Sequence, residues 1–213
     1  MKKNVPIATV ERVAKYLRCL KYLRYKGTKV ISSKDLAELT KVTPEQVRKD
    51  LSYFGKFGKT GTGYDVNKLV KKLEKILKGK AKWNVCIIGA GSLGSALVNY
   101  PRFKESNFNI VALFDNNPEK IGKEINHIKV YDIAEFSRIT EQKEIEIAVI
   151  AVPESAKDDI ENILSENRII RGVLNFTPIT LNIKTRRKIS IIDVDLSQKL
   201  YILTYLITKR KRR

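Results

Sequence analysis

Apolar residues recur every three or four positions through the first third of the chain, which is the spacing of amphipathic helices. A first helix of this kind starts near Ile7 and ends at Gly27. Two shorter helical segments follow, Lys34 to Leu39 and Pro44 to Phe54. Two short helices joined by a tight connection form a helix-turn-helix, which we place at about Tyr16 to Phe54.

Both short helices carry N-terminal signals. Ser33 is the expected cap of the first. Thr43 stands before Pro44 and three residues before Gln46, which predicts a capping box with a proline at the first helical position. The buried stripe of the second helix is then Val47, Leu51 and Phe54.

The opposite face of the second helix is polar and basic, as expected of a helix that enters a DNA major groove. The segment from Gly55 to Tyr64 follows it with four glycines, two lysines and two aromatic residues, a composition that suits a β-hairpin wing close to a phosphate backbone. A solvated helix face and a plain glycine-rich hairpin are the simpler alternatives. The candidate DNA-binding residues are Thr43, Gln46, Arg48, Lys49, Ser52, Tyr53, Lys56, Lys59, Thr60 and Gly61.

Charge favours the DNA-binding interpretation. The 213 residues have a net charge of +19, of which residues 1–80 contribute +14, while residues 81–208 are balanced. A general bias toward lysine would not leave 128 consecutive residues neutral, so the N-terminal part is expected to bind a polyanion. The last five residues, 209–213, are all basic, which suits either a disordered end or extra nonspecific DNA affinity.

After a polar linker at Lys78 to Lys82, short apolar runs alternate with helical segments. This order predicts a Rossmann-type, doubly wound parallel sheet. We therefore expect a winged-helix domain over 1–80, a nucleotide-binding domain over 81–194 and a C-terminal helix and tail over 195–213. The predicted strands are Val85 to Ile88, Ile110 to Phe114, His127 to Tyr131, Ile145 to Ala151, Ile169 to Leu174 and Ile189 to Asp193.

The first of these strands runs directly into a GxGxxG motif, Gly89 to Gly94, and a helix follows. In this context the glycines allow a tight turn, close approach of a pyrophosphate and close helix packing. Asp115 ends the next strand, where an acid can bind the adenine ribose and repel a 2′-phosphate, so NAD(H) is favoured over NADP(H). A flavin, S-adenosylmethionine or a lost ligand are alternatives. The candidate cofactor-binding residues are Gly89, Ala90, Gly91, Ser92, Leu93, Gly94, Asp115, Ala151, Val152, Pro153, Asn175, Phe176, Thr177 and Pro178.

No catalytic constellation accompanies this motif. About 120 residues follow it, too few for a substrate domain, and YxxxK matches such as Tyr22 to Lys26, Tyr100 to Lys104 and Tyr205 to Lys209 look accidental in a lysine-rich chain. Cys19 and Cys86 lack the spacing of a disulfide framework or a metal site. We expect a sensor without catalysis; a small NAD-dependent oxidoreductase and a DNA-binding protein with a vestigial nucleotide fold are the alternatives.

The segment Leu196 to Ile207 predicts a helix that is apolar on several sides, so it needs cover on several sides. It suits either a core helix or an arm exchanged within a dimer, which would match two helix-turn-helix units to a palindrome. No run is long and apolar enough to span a membrane, and no signal peptide opens the chain, so a cytoplasmic protein is expected.

Several segments together resemble the Rex family of redox-sensing transcriptional repressors over nearly the whole chain. They are Ile7 to Val10 with Arg12, Tyr16 to Arg18, Val30 to Ala37, Val47 to Gly55, Gly61 to Tyr64, Gly89 to Gly94, Phe114-Asp115, Ala151 to Pro153 and Asn175 to Pro178. The resemblance implies a homodimer that binds inverted-repeat operators through winged helices and releases them when NADH binds, with NAD⁺ competing. It also implies that Arg48, Lys49 and Lys59 contact DNA, and that Arg12, Tyr100 and Asp195 couple ligand to domain orientation.

Overall fold

The computed structural model describes residues 5–58, 62–79 and 82–210, with all side chains but those of Lys104 and Arg210. The chain divides into two compact units, Met1–Lys80 and Ala81–Arg213. In the first unit the elements are α1 (Ile7–Tyr25), β1 (Val30–Ile31), α2 (Ser33–Thr40), α3 (Pro44–Ser52), β2 (Tyr64–Asp65) and α4 (Val66–Lys78).

The apolar stripes of the four helices meet in one core. Val13, Tyr16 and Leu20 of α1 are fully buried, and leucines and valines of α2, α3 and α4 pack against them. Burial of these side chains is the main stabilising contribution, at about 1.5–3 kcal/mol for each large apolar residue. The first unit therefore has a core of its own.

The helix starts differ slightly from expectation. Ser32, not Ser33, caps α2, because the Ser32 hydroxyl accepts a hydrogen bond from the Asp35 N–H at 3.1 Å. The Asp35 carboxylate in turn accepts from the Ser32 backbone N–H, which completes a capping box. Thr43 caps α3 as expected, accepting from the Gln46 N–H at 3.2 Å. The Gln46 amide does not bond back; it donates to Asp50 at 2.8 Å. The predicted box at Thr43 is therefore half formed.

The wing is built from distant segments. The strand β2 pairs antiparallel with β1, so that Val30 lies opposite Asp65 and Ile31 opposite Tyr64. Among the described residues of 55–64, only Tyr64 belongs to a strand. The described residues of this segment therefore do not form a hairpin of their own, because the strand that pairs with β2 is β1, which precedes α2.

The second unit begins with β3 (Trp83–Ile88), which leads into the glycine loop. The other elements are α5 (Ser92–Val98), α6 (Pro101–Glu105), β4 (Phe108–Asp115), β5 (Glu124–Ile125), β6 (Ile128–Asp132), α7 (Phe136–Gln142), β7 (Ile147–Ile150), α8 (Lys157–Glu166), β8 (Gly172–Asn175), β9 (Ser190–Asp193) and α9 (Leu196–Arg210).

These strands form a sheet in the order β5-β6-β4-β3-β7-β8-β9, parallel throughout except for the edge strand β5. Without β5 this is the doubly wound order that reverses direction between β3 and β7. Apolar clusters cover both faces of the sheet, which explains the uninterrupted apolar runs of its strands. The predicted fold class is confirmed, and the ligand crevice of such a sheet lies where the order reverses.

In the part of the chain that the structure describes, no helix is long and apolar enough to cross a membrane.

Candidate nucleotide and nucleic-acid sites

The glycine loop lies at the point where the strand order reverses. Gly89 has a φ of +102°, and a Cβ there would stand 2.3 Å from the Ala151 carbonyl oxygen, so a larger residue is excluded. A Cβ on Gly94 would lie 1.9 Å from the Gly89 carbonyl oxygen. Space around Gly91 is open, with nothing within 4 Å of a Cβ position. Two glycines therefore shape the loop, and the third leaves its backbone accessible to a ligand.

Asp115 ends β4 beside this loop, with a side chain only 8% exposed. Its Oδ1 accepts from the Asn117 N–H at 2.9 Å, and its Oδ2 accepts from the Ala90 N–H at 2.8 Å and from the Lys120 ammonium at 3.0 Å. Burial alone would raise the pKa of this carboxyl, but the three donors hold the pKa below its usual value. Asp115 is therefore a fixed anion that can accept from a ribose hydroxyl.

Loop and acid open into one cleft of about 800 Å³. Of the candidate cofactor-binding residues, the structure places Gly89, Gly91, Ser92, Leu93, Asp115, Ala151, Val152 and Pro153 on its lining. Ala90 and Gly94 lie behind the lining and shape the loop. An ADP-sized group has room here, with its phosphates at the loop and its ribose at Asp115.

Part of the apolar lining of the cleft was not predicted from the sequence. Ile133 after β6 and Ile160 and Ile163 of α8 line it together with Val152. These apolar side chains suit the faces of a flat base such as adenine. Lys120 and Asn117 line the cleft beside Asp115 and were also missed. Their signal was positional: they follow the carboxyl end of a strand next to the reversal point.

Asn175, Phe176, Thr177 and Pro178 do not line this cleft. The buried Asn175 amide donates to the Asp193 carboxylate at 2.7 Å and to the Ile179 carbonyl at 2.8 Å, and its oxygen accepts from the Thr177 hydroxyl at 2.6 Å. These bonds tie the end of β8 to β9. A cofactor contact by this segment stays a prediction, while its structural role explains why polar residues occur there.

In the first unit, three of the candidate DNA-binding residues line an open groove between α3 and the wing. They are Arg48 and Ser52 of α3 and Lys56 of the wing, and Ser32 and Ser33 at the start of α2 also line the groove. Hydroxyls and cations along one groove are suited to phosphate oxygens. Thr43 and Lys49 are exposed and Tyr53 is half-buried, but none of the three lines the groove, while Lys59, Thr60 and Gly61 lie outside the described residues.

Two of these candidates are already engaged within the unit. The Arg48 guanidinium donates to Glu45 at 2.7 Å and to the Ser33 hydroxyl at 2.9 Å, yet about half of its side chain is exposed. These are weak surface contacts that a phosphate or a base can replace. Gln46 points its amide inward to Asp50, so its predicted contact with DNA requires it to leave that bond.

Asp50 is the residue of α3 that sequence reasoning missed. Its carboxylate is fully buried and accepts four side-chain hydrogen bonds: from Arg12 Nε at 2.6 Å, Arg12 Nη2 at 2.7 Å, the Tyr16 hydroxyl at 2.8 Å and the Gln46 amide at 2.8 Å. Burial raises the pKa of Asp50, but Arg12, Tyr16 and Gln46 together keep the pKa lowered. Asp50 thus fastens the exposed helix α3 to α1.

The three residues expected to couple the ligand to domain orientation have the following surroundings. Arg12 is held by Asp50, and Tyr100 is about half exposed. Asp195 caps α9, accepting from the Ser197 N–H at 2.8 Å and the Gln198 N–H at 3.1 Å. The Asp195 carboxylate also accepts a hydrogen bond from the Ser197 hydroxyl. This bond does most to lower the pKa of Asp195, and the two backbone N–H groups lower it further. Their coupling role stays a prediction.

A helix-turn-helix unit with a cationic groove, joined to a nucleotide-binding Rossmann unit, defines a class of protein in which a small ligand regulates contact with nucleic acid. Comparisons with known proteins agree with each half. The family model "Putative DNA-binding protein N-terminus" matches residues 4–52, and the model "CoA binding domain" matches residues 80–179.

The chain belongs to the Rex family of redox-sensing transcriptional repressors. It is 44% identical over 209 residues to the redox-sensing transcriptional repressor Rex of Desulforamulus reducens, covering 98% of each chain. The crystal structure of RSP in complex with β-NAD⁺ and operator DNA is similar with a TM-score of 0.89 and 34% identity, over 98% of this chain and 95% of that one. The crystal structure of RSP in complex with β-NADH gives 0.87 and 33%, over 97% and 96%. The resemblance seen in the sequence is confirmed, and relatives named as repressors have a regulatory role.

Proposed function

We propose that this chain is a repressor whose affinity for duplex operator DNA falls when NADH occupies the cleft of its Rossmann unit. The observation that carries the proposal is the buried, ionised Asp115 bonded to the glycine loop, because it equips one cleft for a ribose and a pyrophosphate at once. Crystal structures of the related RSP, one with β-NADH and one with β-NAD⁺ and operator DNA, support the proposal that this chain binds the same ligands. We also place this activity in the cytoplasm, because the relatives are named as transcriptional repressors, which act on DNA.

In this proposal the DNA contact is made by the groove of the first unit. Arg48 and Lys49 of α3 project from a helix that Asp50 holds in place, and Lys56 extends the positive surface onto the wing. Such a surface combines base-reading side chains with cations for phosphates. NADH regulates only if it binds the DNA-competent and the DNA-incompetent arrangements with different free energies.

The test is fluorescence anisotropy of a labelled inverted-repeat duplex at fixed salt, with NADH and NAD⁺ added separately. NADH should release the duplex at a far lower concentration than NAD⁺. Asp115→Ala should require more NADH for release while binding DNA normally without ligand. Glu119→Ala removes an exposed acid four residues away and is the matched control. DNA binding that neither nucleotide changes would contradict the proposal, and steady NADH consumption with a carbonyl substrate would favour an oxidoreductase.

We further propose that the protein acts as a homodimer held by α9. Along α9 the apolar side chains, among them Leu200, Leu203 and Ile207, are about half exposed or more. A soluble chain rarely leaves so large an apolar surface uncovered, and a second copy of the same helix arm can cover it symmetrically. Two heads related by a twofold axis would then match an inverted repeat.

Leu203→Glu tests the dimer. A charge in this apolar surface should convert the protein to monomers in sedimentation equilibrium and weaken operator binding. Gln198→Glu adds the same charge at a polar position of the first turn and should leave the dimer intact. A dimer that persists with Leu203→Glu at micromolar concentration would contradict the role of α9.

A further inference from the structure

The Asp115 carboxylate has little acceptor capacity left. Two carboxylate oxygens offer about four lone-pair positions. The N–H groups of Asn117 and Ala90 and the Lys120 ammonium occupy three of them. Both acceptor positions of Oδ2 are therefore used, and one remains on Oδ1.

A ribose presents two neighbouring hydroxyls, and one free acceptor position can satisfy only one of them as a donor. The second hydroxyl needs another partner, and the Lys120 ammonium adjoins Asp115 on the lining of the same cleft. An ammonium has three N–H donors, of which the bond to Asp115 uses one. The other two can donate to a hydroxyl oxygen.

We propose that Lys120 is a specificity-determining residue of the nucleotide site: Asp115 and Lys120 read the adenine ribose as a pair, with Asp115 accepting from one hydroxyl and Lys120 donating to the oxygen of the other. This inference rests on the proposed function, because it takes the cleft to hold a dinucleotide. In this arrangement the preference for a free ribose over a ribose 2′-phosphate depends on two opposite charges, Asp115 and Lys120, and not on Asp115 alone.

The ion pair between Asp115 and Lys120 changes the electrostatic repulsion that a ribose 2′-phosphate would experience in the cleft. An unpaired Asp115 would repel a 2′-phosphate by its full charge, whereas Lys120 at 3.0 Å offsets that charge within the same cleft. Rejection of the phosphorylated dinucleotide is therefore weaker than the acid alone would give. Removal of Lys120 should strengthen this rejection, since the carboxylate stays buried at the site while its countercharge is lost.

The experiment compares NADH and NADPH binding to the full-length protein by nucleotide fluorescence. Lys120→Met should weaken NADH about fivefold and NADPH about fiftyfold, so that the ratio of the two Kd values rises about tenfold. Lys123→Met removes an exposed lysine three residues away that does not line the cleft, and it should leave the ratio at the wild-type value. Because both nucleotides are measured on one preparation, a loss of folded protein cancels from the ratio.

A second pair of variants reverses the sign. Asp115→Asn leaves Lys120 without its carboxylate, and its NADPH affinity should rise about tenfold over wild type. Asp115→Asn with Lys120→Met should lose that gain. An unchanged ratio in Lys120→Met, an equal change in Lys123→Met, or an NADPH gain that persists without Lys120 would each overturn the inference. If wild-type protein binds NADH but the variants do not show these changes, the inference about Lys120 is wrong and the proposed function stands. If wild-type protein does not bind NADH, both the inference and the proposed function are wrong.

Discussion

Replacing Asp50 by asparagine removes one charge from the centre of the DNA-binding unit and keeps the side-chain shape. Asparagine has one carbonyl oxygen for the bonds that two carboxylate oxygens now accept from Arg12, Tyr16 and Gln46. Its amide N–H groups would face the donors of Arg12 and Gln46. The variant therefore leaves a partly buried guanidinium without a countercharge.

The size of the effect follows from the burial of Asp50, whose side chain is 0% exposed. Removing one partner of a buried ion pair costs about 3–5 kcal/mol, and the retained shape favours the lower end, about 3 kcal/mol. In a domain of this size, each 1 kcal/mol lowers the midpoint of thermal unfolding by about 4–8 °C. We expect the first unit of Asp50→Asn to unfold roughly 12–24 °C below that of the wild type.

Two spectroscopic signals separate the two units. Trp83, the single tryptophan of the chain, lies in β3 of the second unit, so its fluorescence follows the Rossmann unit. Circular dichroism at 222 nm follows the helices of both units. Asp50→Asn should show an early loss of helix signal while the Trp83 transition stays at the wild-type temperature. Glu38→Gln changes charge equally at an exposed position of α2 and serves as the control.

The difference in stability between the wild type and Asp50→Asn should depend on pH. The folded-state pKa of Asp50 is lowered, so its ionisation stabilises the fold above the unfolded pKa of about 3.9 and this stabilisation is lost as pH falls through the folded value. The gap between wild type and Asp50→Asn should be full at pH 7 and shrink below about pH 4. A gap that is absent at pH 7, or a Trp83 transition that falls equally, would refute the reasoning.

Two further predictions concern the loop and the groove. Gly94→Ala should destabilise the second unit in Trp83 fluorescence, because its Cβ would meet the Gly89 carbonyl oxygen; Gly91→Ala should keep that stability and still weaken NADH, since space there is open in the free protein. A Gly94→Ala protein as stable as wild type would show that the loop adjusts. Arg48→Ala should weaken operator binding by about 1–3 kcal/mol in anisotropy if it reads a base, and unchanged affinity would remove Arg48 from the interface.

The order of elements was predictable from the sequence because helix and strand periodicity is a local property. The glycine loop directly after β3 and the acid at the end of β4 were predictable for the same reason. Errors appeared where an alternative side chain stood one residue away, as with Ser32 and Ser33 at the start of α2.

Features that depend on distant pairs were not predictable. Asp50 interrupts the apolar pattern of α3, and its main partner, Arg12, lies 38 residues earlier, so no window of sequence reveals the network. The pairing of β1 with β2 joins segments about 34 residues apart. Ile160 and Ile163 follow an ordinary helical spacing, and only the packing of α8 against the sheet brings them to the cleft.

The hydrogen bond from the Ala90 N–H to Asp115 has a consequence for how ligand fragments act together. It connects the loop at the phosphate end of the cleft to the acid at the ribose end, at 2.8 Å and away from solvent. Because this bond already fixes the acid and the loop to each other in the free protein, neither a nucleoside nor a pyrophosphate has to order the part of the cleft that the other one occupies. Adenosine and pyrophosphate offered as separate molecules should for this reason bind independently, each with the same affinity whether or not the other is present.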